Sequence, residues 1–333
     1  MRRWTWLAGL ALMALLLVRP QAAALGAARA MAAWAATVVP AVFPFLALTP
    51  LLTCAEAARA YEALLGRLTS RLLRLPGAAA PALAVGMVAG VPAGALAARG
   101  IAARSGMNRG QLLRLAVCAM GFSPAFLISG VGAGMLGSAA LGWRLALSQA
   151  IAQLTLAALL RGAWRGRTEP VRDVGPLRED GAIRGAALAA LSIGGYMALF
   201  GALARAAGSL LGGRVGAALL CLLDVPSGAK LVADLPLPME TRLALISALC
   251  GFGGLCLMAQ CQGALRGCGL GWAELIALRL LVAAISAGCT LLLGSAKLPA
   301  LVDRLVASPL AAGGLCASAM AIPALVKMRK SIS

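Results

Sequence analysis

The chain has 333 residues, 61% of them hydrophobic and 12% charged, with a net charge of +19 and a mean hydropathy of +0.91. Polar groups this scarce cannot cover the surface of a soluble domain of that length, so a soluble enzyme is excluded. The basic excess does not point to nucleic acid. Its residues lie in the gaps between apolar stretches, where anionic lipid and the positive-inside rule place them, and no basic run is interleaved with aromatics.

Several stretches of about 18 or more residues carry no charge, the length that crosses a bilayer core. Backbone groups in lipid must be satisfied internally, so these stretches predict helices rather than the short alternating strands of a barrel. The expected fold is an all-α polytopic membrane protein, a single membrane domain with the lipid bilayer as its first partner.

In chain order, Arg2 and Arg3 precede an apolar run at 4–18, and residues 22–24 resemble a cleavage site. Residues 1–30 are expected to form an N-terminal helix or signal-anchor, an uncleaved helix being preferred over a signal peptide. Apolar segments follow at 31–53, 78–98, 115–137 and 140–160. Residues 161–184 are hydrophilic, with six arginines against Glu169, Asp173, Glu179 and Asp180, and Pro170 and Pro176 stop helix there. They read as a cytoplasmic linker. Segments at 185–207, 208–229, 243–266 and 271–294 come next, and 295–333 holds a C-terminal helix at 309–326 and a basic tail.

Residues 31–160 and 185–294 resemble each other. Val91, Pro92, Gly94 and Ala95 reappear as Val225, Pro226, Gly228 and Ala229. Gly121 and Phe122, just after Cys118, reappear as Gly251 and Phe252 beside Cys250. Gly142 and Trp143 reappear as Gly271 and Trp272. Three anchors in one order at nearly constant offset indicate an internal repeat. After the first Val-Pro come Arg99, Arg104, Arg109 and Arg114 with no acid; after the second, Lys230 and Arg242 are balanced by Asp234 and Glu240. The first loop is therefore cytoplasmic and the second need not be, which favours an inverted over a parallel repeat. In that arrangement 78–98 and 208–229 are re-entrant hairpins, about eight full spans remain, and both termini are cytoplasmic, matching Arg2, Arg3, Lys327, Arg329 and Lys330.

Each half interrupts apolar helix with glycine and proline: Gly90, Pro92 and Gly94, then Gly121, Ser123 and Pro124 in the first; Pro226, Ser227 and Gly228, then Gly251 and Gly253 in the second. Broken helix at membrane depth is tolerated where it faces a cavity, and paired breaks point to a central binding site. Gly86, Gly90 and Gly94 also form a ladder that would serve close helix packing. The polar side chains nearby are Ser123, Ser129, Ser227, Gln260, Gln262 and Asp224. Asp224 is either an ion or proton site or an interfacial residue, with Lys230 as an alternative pairing partner. Of Gln260 and Gln262, which point to different faces, one is expected to line a cavity and the other to pack. Nine cysteines without a histidine or a zinc-type spacing read as buried thiols, and neither a metal nor a cofactor is expected beyond a coupling Na+ or H+.

Four stretches carry a family resemblance: Val39, Pro40, Phe43, Pro44 and Phe45; Gly90, Pro92 and Gly94; Ser123, Pro124, Gly130, Gly132, Gly134 and Gly137; and Gly251, Gly254 and Gln260. Together they resemble the YlbJ-type sporulation integral membrane proteins, of the nucleoside-recognition or gate group, similar in repeat design to concentrative nucleoside transporters. The similarity runs from about residue 38 to 293. This chain departs from the family pattern at Val91 and Leu96, at Ala119 and Met120, and at Cys256 and Met258, all less polar than the family's residues. The resemblance implies a transport-type protein needed for spore formation in a bacterial cell membrane, moving a small polar solute. A scaffold that keeps the fold without transport is the alternative; a homo-oligomer is left open. An intramembrane enzyme is not expected, because no serine is paired with a base and histidine is absent.

Overall fold

The computed structural model describes residues 5–52, 54–162 and 181–295, and every regular element among them is a helix. Helix α1 (Thr5–Val18) ends at Arg19, and Pro20 opens α2 (Pro20–Ala33) at its first turn, where a missing N–H costs nothing. The chain bends by 102° between them. The alanine-rich α2 has no internal breaker, so it continues through a π-helical stretch (Trp34–Val38) into α3 (Val39–Leu52). The segment expected to begin at 31 therefore begins at Pro20.

Helix α4 (Ala55–Leu68) lies in a region read as having no segment. It is amphipathic: Ala57 and Tyr61 are buried against Ala80, while Glu62 and Arg67 are exposed. Its charges disqualify it as a span without preventing a helix. Helices α5 (Ala80–Ala89) and α6 (Ala93–Arg104) follow. A capping box then starts α7 (Arg109–Ala119): Asn108 Oδ1 accepts from Gln111 N at 2.9 Å, and Gln111 Oε1 accepts from Asn108 N at 3.0 Å. That cap brings the helix in ahead of the expected start at 115. Beyond a break, a π-helical stretch (Phe126–Ala133) leads through the short α8 (Gly134–Leu136) to α9 (Ala139–Leu159). The second half holds α10 (Ala182–Leu211), α11 (Gly213–Leu223), α12 (Val225–Ala233), α13 (Met239–Phe252), α14 (Gly254–Ala264) and α15 (Trp272–Ser295). Because α10 runs unbroken to Leu211, the segment expected from 208 starts at Gly213.

Among the described residues four helices are long and apolar enough to cross a membrane: Ala139–Gly162, Ala182–Leu211, Met239–Ala264 and Trp272–Gly294; the bent pair α1–α2 counts as a fifth if it is one span. Most of the 161–184 linker and the 309–326 helix lie outside the described residues.

Both expected hairpins fold back on themselves. A Cβ placed on Gly94 would lie 2.6 Å from Gly86 Cα, and one on Gly228 would lie 2.7 Å from Cys221 Cα. In a straight helix residues that far apart in sequence are separated by roughly 10 Å or more. The α5–α6 and α11–α12 arms therefore cross at glycine.

Two ion pairs fix how the halves run. Arg109, at the start of α7, donates to Glu274 at the start of α15 at 2.5 Å, and to Gly269 O, just beyond the end of α14, at 3.0 Å. Arg144, at the start of α9, pairs with Glu240 at the start of α13 and donates to Thr290 O near the end of α15 at 2.8 Å. Helix α7 thus starts where α14 ends, and α9 starts where α15 ends. The main core joins α7 (Leu112, Leu115, Cys118) to α14 (Met258, Cys261) and α15 (Val282).

Candidate functional site: a groove where four helix breaks meet

The first break is the tip of the α5–α6 hairpin. Gly90 has φ +69°, and a Cβ there would sit 2.6 Å from Ser123 N, so both the turn and the close approach require glycine. The next residue ties the tip to the second break, Val91 N donating to Gly121 O at 2.9 Å.

The second break follows α7. Gln149, buried on α9, holds it from both sides: its Oε1 accepts from Phe122 N at 3.3 Å and its Nε2 donates to Phe122 O at 2.8 Å. Ser123 Oγ accepts from Phe126 N at 3.2 Å and so caps the π-helical stretch. Gly121 is pressed against the glutamines of α9, where a Cβ would fall 2.4 Å from Gln153 Nε2.

The third break is Asp224, the N-cap of α12. Its Oδ2 accepts from Ser227 N at 3.2 Å and from Ser227 Oγ at 2.5 Å. Lys230 does not pair with it; its Nζ is 2.8 Å from Asp234 Oδ1 on the exposed side of α12.

The fourth break is Gly253, φ +86°, between α13 and α14. Behind it lies Arg279 of α15, only 1% exposed. Its Nε donates to Phe252 O at 2.9 Å, its Nη2 to Cys250 O at 3.1 Å and its Nη1 to Met120 O at 2.5 Å. Among the described residues no ion pair includes Arg279. Its charge is instead met by carbonyls at the C-terminal, negative ends of α7 and α13. Arg279 and Gln149 occupy corresponding places six or seven residues beyond Trp272 and Trp143. Each braces the broken backbone of its own half, and Arg279 also reaches into the other.

All four breaks contribute to one groove of about 820 Å³ measured to its open mouth. Of the residues singled out from sequence, Ser123, Asp224, Pro226, Gly253 and Gln260 line it, as does Ser129. Gly90, Pro92, Gly94, Gly121, Pro124, Ser227, Gly228 and Gly251 do not; they shape the backbone behind it. Gly94 and Gly228 serve packing within the hairpins, and Gly251 packs against Ala283. Ser227 acts on Asp224 rather than on the groove. Gln260 lines the groove with its Nε2 3.4 Å from Cys256 Sγ, whereas Gln262 packs, donating to Leu270 O at 3.1 Å. The rest of the wall is apolar: Phe122 and Phe126, Val38 and Val42, and Ile193 and Met197 of α10.

Sequence reasoning missed Gln149 and Arg279. Their signal was a polar side chain inside an otherwise apolar segment, at matching distance from the Gly-Trp anchors. Among the described residues the cysteines are free, and no group of three or more His, Cys, Asp or Glu is placed to hold a metal.

No known protein family, no curated protein and no solved structure matches this chain.

Proposed function

We propose that the chain is a transport-type protein of the bacterial cell membrane that binds and moves a small polar solute in this groove. The observation that carries the reading is the convergence of four separate interruptions, two from each half, on one cavity between the halves. Broken helices meeting at such a cavity are the arrangement in which alternating access operates. Ser123 and Gln260 are the neutral groups for the solute, and Asp224 is the place for positive charge, a coupling Na+ or H+ included. The halves are inverted repeats, with the two crossed helix pairs as re-entrant hairpins and about eight spans in the whole chain. The swapped ion pairs support this: Arg109 and Glu240 begin corresponding helices, as do Arg144 and Glu274, and each pairs across to the other half. A role in spore formation rests on the YlbJ-type resemblance of the break residues.

A non-transporting scaffold is the second reading, favoured by the apolar bulk of the groove wall. The test is thermal unfolding of the purified protein across a panel of nucleosides, small acids, amines and cations. A ligand that binds only the folded state stabilises it by about 2.7 kcal/mol at a hundredfold excess over its Kd. Stabilisation by one solute class, weakened tenfold or more in Ser123→Ala and Gln260→Ala, is the expected outcome. Well-folded protein that answers to no member of the panel moves the assignment to the scaffold.

A further inference from the structure

We propose that the solute is an organic cation with an apolar body, its ammonium group held by Asp224 and its hydrocarbon by Phe122, Phe126, Ile193 and Met197. The inference rests on the groove being a solute site and deepens that reading. Asp224 spends only one carboxylate oxygen on capping α12; Oδ1 takes part in no hydrogen bond among the described residues. None of the ion pairs among those residues includes it. The two cations that might have neutralised it are engaged elsewhere, Lys230 with Asp234 and Arg279 with three carbonyls. A carboxylate in an apolar groove without a positive partner is costly, and a ligand that supplies the charge recovers that cost on binding.

The wall selects the rest of the ligand. Phe122 and Phe126 stack with ring centroids 4.9 Å apart and both line the groove. Aromatic faces attract an ammonium group and pack its hydrocarbon. The remaining polar groups are neutral and partly spent, Ser123 on Phe126 N and Gln260 on Cys256. A bare alkali cation would need a cage of oxygens, whereas this wall is largely hydrocarbon.

The probe is 2-phenylethylammonium, set against neutral 2-phenylethanol, anionic phenylacetate and sodium chloride. Binding is read by thermal stabilisation of the full chain in detergent. The key variant is Asp224→Asn, which removes the charge and keeps the cap, since asparagine caps a helix as well as aspartate does. The amine is expected to stabilise the protein, with a Kd at least tenfold weaker in Asp224→Asn and several-fold weaker in Phe126→Leu, while the unliganded Tm of Asp224→Asn stays close to that of the unaltered chain. An equal shift from 2-phenylethanol, phenylacetate or sodium, or an amine shift that survives Asp224→Asn, overturns the inference. A neutral solute whose stabilisation is lost in Gln260→Ala would refute the cation and keep the groove as a solute site. No response to any compound from folded protein would refute both.

Discussion

Arg279 is the residue on which the two broken halves meet. Replacing it by methionine leaves the carbonyls of Met120, Cys250 and Phe252 without their donor in a buried setting. Hydrogen bonds to a charged group are worth about 1.5–3 kcal/mol each, and buried acceptors left bare add to the loss. Arg279→Met is therefore expected to cost about 3–5 kcal/mol and to lower the Tm in detergent sharply. Arg279→Lys keeps the charge but not the planar fork, and should fall between the two. An Arg279→Met protein as stable as the parent would show that the carbonyls find other donors. The same scale explains why Asp224 could be singled out from sequence yet not understood. An acid before a Val-Pro-Ser run at the start of a helix is a capping residue, and its second oxygen becomes informative only once Lys230 is seen to pair elsewhere.

The hairpins depend on glycines whose roles differ by position. A Cβ on Gly94 would fall 2.0 Å from Ala119 O, and the neighbouring backbone cannot withdraw. Gly94→Ala should part α6 from α7 and lower the Tm by several degrees. Gly195, inside α10 with nothing within 4 Å of its Cβ position, should behave oppositely. Gly195→Ala removes a helix-breaking residue and is expected to stabilise by up to about 1 kcal/mol. Comparing the two melting curves separates packing glycines from incidental ones. The breaks themselves were legible because Gly and Pro punctuate an apolar helix wherever they cluster, as at Gly90 to Pro92 and at Gly251 to Gly254. Helix α4 was not, because a window that averages hydropathy discards an amphipathic helix with Glu62 and Arg67 on it. Nor was the start of α7, where the signal is a four-residue cap at Asn108 rather than a change in hydropathy. The convergence of the breaks depends on contacts more than a hundred residues apart, such as Arg279 with Met120, which no local pattern encodes.

For the whole molecule, the orientation of the halves is open to direct measurement. The loop at Ser105, beside Arg104 and Arg109, should face the cytoplasm, and the loop at Leu237 the opposite side. Ser105→Cys and Leu237→Cys, labelled in intact cells with a membrane-impermeant maleimide against the unmodified chain as background, should react from opposite faces. Labelling from the same face would favour parallel repeats. The two cross-half ion pairs then have a mechanical meaning. Arg109 with Glu274 and Arg144 with Glu240 fasten the halves at opposite ends of the helices, and Arg279 lies between them like the pivot of a balance beam. Rocking about that pivot which parts one pair presses the other together, so both ends cannot swing open at once. A leak needs both fastenings released, whereas a transport stroke needs only one.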